Sequence, residues 1–171
     1  GFSTSDNINY GGTADTDADE PGTDSKKLDE HIYYYGEGAD ISDDLLKTKI
    51  NSLTFGTGIF LLKPCFSGGL VYDLRGTNRV IIASGTEFQV TYPTLSGSYG
   101  ELTYNFMSAI TGKTPDGVTV NADLNGDEKI SMYEAYIYIK ATEHRNEQPQ
   151  FNDDGTGNVT TTPSSSGFGA G

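Results

Sequence analysis

Two short apolar runs, Gly58-Ile-Phe-Leu-Leu62 and Arg79-Val-Ile-Ile-Ala-Ser84, set the narrowest limits on the fold. Neither alternates with polar residues, the pattern of strands buried on both faces rather than half-solvated ones. A strand covered on both sides needs helices above and below it. The flanking sequence supplies them. Ser42 followed by Asp43 and Asp44 is an N-cap with two acids in the first turn, and Leu46, Ile50 and Leu53 recur behind it, which predicts an amphipathic helix over 43–53. Leu102, Phe106 and Ile110 share a helical face over 99–111, closed by Gly112, and a further helix runs from about Ser131 to His144. Upstream, His31-Ile-Tyr-Tyr-Tyr35 is β-prone and stopped by Gly36-Glu-Gly38, and a short irregular strand is read through Ile8 and Tyr10. The order predicts an α/β fold, a small and mostly parallel sheet flanked by helices, with no internal repeat.

At 171 residues the chain fits one domain, assigned to residues 1–150, followed by a Gly/Ser/Thr-rich tail over 151–171. Lys and Arg total 11 against 24 Asp and Glu, a formal charge of −13, which argues against electrostatic binding of nucleic acid. The longest apolar run, Ile59 to Leu62, is too short for a membrane span. A single cysteine excludes an intramolecular disulfide. The start at Gly1 points to removal of an upstream segment, a cleaved N-terminal fragment. Acidity with abundant Gly, Ser, Thr and Asn fits an extracellular or cell-surface setting. A tail like 153–171 gains order only against a surface, which a second copy of the chain would supply. Asn158-Val-Thr160 is a glycosylation sequon, and the Thr/Ser/Pro run at 160–166 suits O-linked sugars. The 11 tyrosines fall mostly on strand and helix positions, so packing explains them better than sugar stacking.

Cys65 stands where the first apolar run gives way to Phe66-Ser-Gly-Gly69. Strand ends of an α/β sheet display reactive groups, and glycines beside a nucleophile let backbone N–H groups approach an oxyanion. The competing reading is a free cysteine packed at a strand end. Strand, Cys65-Phe-Ser-Gly-Gly69, then Asn78-Arg-Val-Ile-Ile-Ala-Ser84 resembles the caspase-like cysteine peptidases, the legumains and metacaspases among them. Tyr10-Gly-Gly12, the acids Asp15, Asp17, Asp19 and Glu20, Leu28-Asp-Glu-His-Ile-Tyr33 and Ser42-Asp-Asp-Leu-Leu46 extend the likeness to the metacaspases over roughly residues 9–85. The resemblance implies a truncated caspase-like domain with Cys65 as nucleophile and Gly68 and Gly69 at the oxyanion site.

The chain departs from that family in three places. Tyr10 occupies the position of the activating histidine, and a phenol is protonated near neutral pH. Lys63 falls where an acid receives a basic substrate side chain, and would repel one. Almost nothing precedes Tyr10 to form the upstream strands, which leaves a fragment elsewhere or an open sheet edge, itself a template for strand addition. His31 and His144 read as structural residues.

Asp123-Leu-Asn-Gly-Asp-Glu-Lys-Ile-Ser-Met-Tyr-Glu134 carries oxygen donors at EF-hand spacing. Asp123, Asn125, Asp127, the Lys129 carbonyl, Ser131 and a bidentate Glu134 would take positions 1, 3, 5, 7, 9 and 12 of the loop. Ile130 is the apolar anchor, and the run resembles dockerin-type calcium loops. Glu128 sits at position 6, where the turn prefers glycine. An acidic solvated loop that caps a helix is the alternative. Gln148-Pro-Gln150 resembles a segment that follows such loops in caspase-like proteins. The same family implies a second calcium near Asp24, Asp29, Glu30 and Asp73, and Asp15, Asp17 and Asp19 form another acidic run.

These residues favour a secreted, Ca2+-binding caspase-like domain without peptidase activity. It would assemble into a homo-oligomer or filament through the open sheet edge and the tail. The rivals are an active calcium-dependent cysteine endopeptidase and a peptide-binding pseudo-peptidase.

Overall fold

The computed structural model describes residues 2–5, 29–33 and 40–153. Within them lie β1 (Phe2–Ser5), β2 (Asp29–Tyr33), β3 (Asp40–Ser42), α1 (Asp43–Asn51), β4 (Gly58–Leu62), α2 (Gly69–Leu74), β5 (Arg79–Ala83), α3 (Glu101–Thr111), α4 (Met132–Thr142) and β6 (Gln150–Asn152). This is a small mixed α/β fold with two three-stranded sheets, ordered β1-β2-β3 and β4-β5-β6.

The expectation of a mostly parallel sheet is corrected. Only β4 and β5 run parallel, Phe60 facing Ile81 and Leu62 facing Ala83; β6 joins β5 antiparallel, and both pairings of the other sheet are antiparallel. The two apolar runs are nonetheless strands and pair with each other, but the expectation of burial on both faces is corrected for β4: it is the edge strand of its sheet, with Ile59 exposed and Phe60, Leu61 and Leu62 half-buried. Parallel pairing needs a crossover, and α2 supplies it. That helix, like β3 and β6, is missing from the sequence reading because six, three and three residues carry too little periodicity to register.

β5 is buried along its whole length and explains why its run is continuous. Val80 and Ile82 face one layer, with Leu102, Phe106 and Ala109 of α3, Ala135, Tyr136 and Ile139 of α4, and Phe151. Ile81 and Ala83 face the other, with Val71 and Leu74 of α2 and with Leu46 and Ile50 of α1. Burying such a side chain is worth about 1.5–3 kcal/mol, so this strand anchors both halves of the core.

Local signals hold at the helix ends. Ser42 caps α1 through Leu45 N, and Ser131 with Glu134 forms a capping box on α4. Gly112 ends α3 at φ 69°, a left-handed position that favours glycine. Two predicted core positions are corrected: Ile110 is exposed, and Leu53 lies beyond the end of α1 and is exposed as well. The boundary drawn at residue 150 falls within β6, whose Phe151 is 1% exposed and stacks on Tyr136 at 4.9 Å. The strand read through Ile8 and Tyr10 and the tail beyond residue 153 lie outside the described residues. No helix among the described residues is long and apolar enough to cross a membrane.

Candidate functional site

Cys65 lies just past the C-terminal end of β4, half-buried. Ser84, at the end of β5, holds the intervening turn: its hydroxyl donates to Lys63 O at 3.1 Å and Pro64 O at 3.2 Å, and lies 3.2 Å from Ser67 Oγ. The hydrogen-bond partners of the Cys65 thiol all belong to Thr91. Sγ accepts from Thr91 N at 3.4 Å and donates to Thr91 O at 3.6 Å, with Thr91 Oγ1 at 3.9 Å. No imidazole is among its partners. His31 is buried on β2, and His144 approaches Glu101, with Nδ1 3.3 Å from Oε1. Tyr10 lies outside the described residues.

The glycines have structural duties. A Cβ on Gly68 would stand 2.6 Å from Glu87 N and 2.7 Å from the Thr86 backbone, so only glycine admits that close approach. Gly69 donates its N–H to Phe66 O at 3.4 Å, which occupies the amide assigned to an oxyanion. Phe66 itself has φ 61°, an uncommon conformation for a bulky residue, and its N–H donates to Gln89 O at 2.8 Å. Lys63 is exposed on the turn.

The loop from Asp123 to Glu134 winds on its own carboxylates. Asp123 accepts from Gly126 N at 2.6 Å and Glu128 N at 2.9 Å. Asn125 Oδ1 accepts from Asp127 N, and Asp127 Oδ1 from Lys129 N, both at 2.9 Å. Glu134, 3% exposed, closes the ring by accepting from Leu124 N at 2.9 Å, Asn125 N at 3.3 Å and Ser131 N at 2.8 Å. Burial pushes the Glu134 carboxyl up, but these hydrogen bonds outweigh it and hold it below the usual range. Gly126 and Glu128 both take positive φ, 79° and 64°, so Glu128 adopts the turn that position 6 requires. Two features part from a full EF-hand. An extended stretch with a Lys113–Thr119 bridge, not a helix, leads into the loop. Among the described residues no group of three or more His, Cys, Asp or Glu side chains is arranged to hold an ion. The physical reason is visible in Glu134, which backbone donors tie to the loop entrance.

Of the remaining acids, Asp73 is buried on α2 and pairs with Lys47 Nζ at 3.2 Å, whereas Asp15, Asp17, Asp19 and Asp24 lie outside the described residues. Gln148-Pro-Gln150 is fastened rather than open: Gln148 N donates to Gln89 Oε1 at 2.8 Å, and Tyr136 OH to Pro149 O at 2.9 Å.

Sequence reasoning overlooked Glu101 and Glu147, which are buried although they read as solvated acids. Burial pushes Glu147 up to about 7, opposed by the Tyr92 N–H and reinforced by Glu143 and Glu101. No signal in the sequence marks them: Glu147 stands in the polar run from His144 to Gln150. Compared with protein-family models, curated proteins and solved structures, the chain gives no match.

Proposed function

We propose that this chain is an extracellular, calcium-binding domain of caspase-like ancestry whose cysteine centre no longer runs peptidase chemistry, and which assembles with copies of itself. The observation that carries the reading is the wound loop at Asp123–Glu134. Its donors are all oxygens, the set a hard cation prefers, and both residues that must turn through positive φ do so. Asp123, Asn125, Asp127, the Lys129 carbonyl, Ser131 and Glu134 would hold the ion. Calcium would neutralise the carboxylates of Asp123, Asp127 and Glu134 and fix the start of α4.

The caspase-like part rests on Cys65 at the end of a strand parallel to β5, followed by Gly68 and Gly69 opening α2. Loss of activity is supported by the Thr91 cage around the thiol and the engaged Gly69 amide. Self-assembly is supported by the outer edge of β4, where Ile59 is exposed. One observation favours the rival endopeptidase: Phe66, next to the thiol, is held at φ 61°, and strained backbone clusters at working sites.

Calorimetric titration of the full chain with calcium tests the first element, and saturable binding lost in Asp127→Asn is expected; no heat in the wild-type chain refutes it. Intact mass after exposure to peptidyl electrophiles with basic, acidic and Asn P1 residues tests the second. Cys65 should react no faster than an ordinary thiol, and rapid calcium-dependent labelling would establish the peptidase instead. Deleting 154–171 should abolish assembly, and an unchanged particle size would overturn that element.

A further inference from the structure

A cleft of about 250 Å³ opens between the turn at residues 94–96 and helix α3, and it shares no lining residue with the Cys65 turn or the calcium loop. Its wall includes Asn105, 3% exposed, whose buried Nδ2 has no hydrogen-bond partner. Leaving such a donor unmade costs about 1–3 kcal/mol, which a water or an acceptor on a ligand would recover. Around it stand two carboxylates that keep accepting capacity. Glu101 Oε1 takes His144 N at 3.2 Å, and Asp116 Oδ2 takes the Tyr104 hydroxyl at 2.8 Å. Thr94 and Ser96 place their hydroxyls 3.0 Å apart on the opposite turn. The Tyr104 ring lies beside the exposed Tyr99, centroids 5.9 Å apart.

The lining selects among ligands by elimination. No Lys or Arg lines the cleft, and its one imidazole, His144, is already turned to Glu101 with Nδ1 3.3 Å from Oε1, so two carboxylates outnumber it and disfavour phosphate and carboxylate groups. An ammonium or guanidinium group suits the charge but only donates, and has nothing to offer the Asn105 N–H. A hydroxyl does both: it donates to a carboxylate and accepts from an amide. Neighbouring hydroxyls on a compact ring, with an apolar C–H face for the tyrosine, answer every group present. The volume lies below the range of about 300–1,000 Å³ that encloses drug-sized molecules, which limits the enclosed part to one ring. We propose that this cleft binds a single sugar ring, through adjacent hydroxyls shared between Asn105, Glu101 and Asp116 and a ring face laid on Tyr104.

The test is a 1H–15N titration of the full chain with the methyl glycosides of glucose, galactose, mannose and N-acetylglucosamine, run beside propylamine. At least one glycoside should shift Asn105 and Tyr104 saturably, with a Kd of about 1–10 mM. Asp116 is exposed, so Asp116→Ala keeps the fold and should weaken binding about tenfold. Asn105→Leu removes the orphan donor; it should abolish binding while leaving the melting temperature equal or higher. Three results overturn the proposal: no shift from any glycoside, which leaves the cleft to water; saturable binding of propylamine alone; or glycoside binding undiminished in both variants.

Discussion

Removing calcium from the Asp123–Glu134 loop should lower the melting temperature by an amount the loop itself fixes. On the proposed calcium reading, its three carboxylates and three neutral oxygen donors are the donor set of an EF-hand sensor loop, which binds at about 10⁻⁷–10⁻⁵ M. Glu128 already stands at φ 64° in the folded loop, so its left-handed penalty of about 1–2 kcal/mol falls on the stability of the fold and cancels from the affinity. At the weak end of that range, with Kd near 10⁻⁵ M, a calcium concentration of about 1 mM is a hundredfold excess and stabilises the folded state by about 2.7 kcal/mol. A chain of this size gains about 2–4 °C per kcal/mol, so the midpoint should rise by about 5–11 °C between EGTA and calcium. Differential scanning calorimetry reads this directly. Asp127→Asn keeps the acceptor for Lys129 N but loses a charge, so it should retain the EGTA midpoint and lose most of the calcium increment. A shift below 1 °C in the wild-type chain, or an undiminished shift in Asp127→Asn, would refute the reasoning.

Glu128→Gly should relieve the positive φ and raise the midpoint in EGTA and in calcium alike by about 1 kcal/mol equivalent, read in the same scans. Gly68→Ala should destabilise by about 1–3 kcal/mol in urea unfolding, because the new methyl meets backbone at 2.6 Å that has no rotamer to yield. Glu147 has a carboxyl raised to about 7 in the folded chain against about 4.3 unfolded, so the folded state binds the extra proton between those values. Stability therefore falls as pH rises from about 4 to 7 and levels above it, by about 1–2 kcal/mol after solvent screening. Glu147→Gln should be the more stable chain at pH 8 and show no advantage at pH 4, and a constant difference would refute this.

What the sequence disclosed follows from which forces act locally. The β4 and β5 runs, the Ser42 cap and the Gly112 stop are short-range signals, and each element appears where its chemistry placed it. The direction of β6 was illegible, because Gln150-Phe-Asn152 reveals itself only by pairing with a strand far back in the chain. Ile110 has the right spacing behind Leu102 and Phe106, but in the last turn of α3 it is Ala109, 0% exposed, that meets the core, and Ile110 is turned off that face. At the site, the loop donors were readable as a spacing. The Thr91 cage around Cys65 was not, since nothing in the residue types marks a contact across 26 positions. Glu101 and Glu147 show the same limit for charge: burial is a property of the neighbours.

Because Phe151 enters the core from so late in the chain, the domain is sealed last at its far end. During synthesis the free edge of β5 and one face of Tyr136 wait in solvent until residues 150–152 leave the ribosome, while both helices that separate them are already made. A single nick between α4 and β6 would therefore act as an unlatching. It would withdraw one edge strand and one ring together, and expose β5 to whatever strand is nearest.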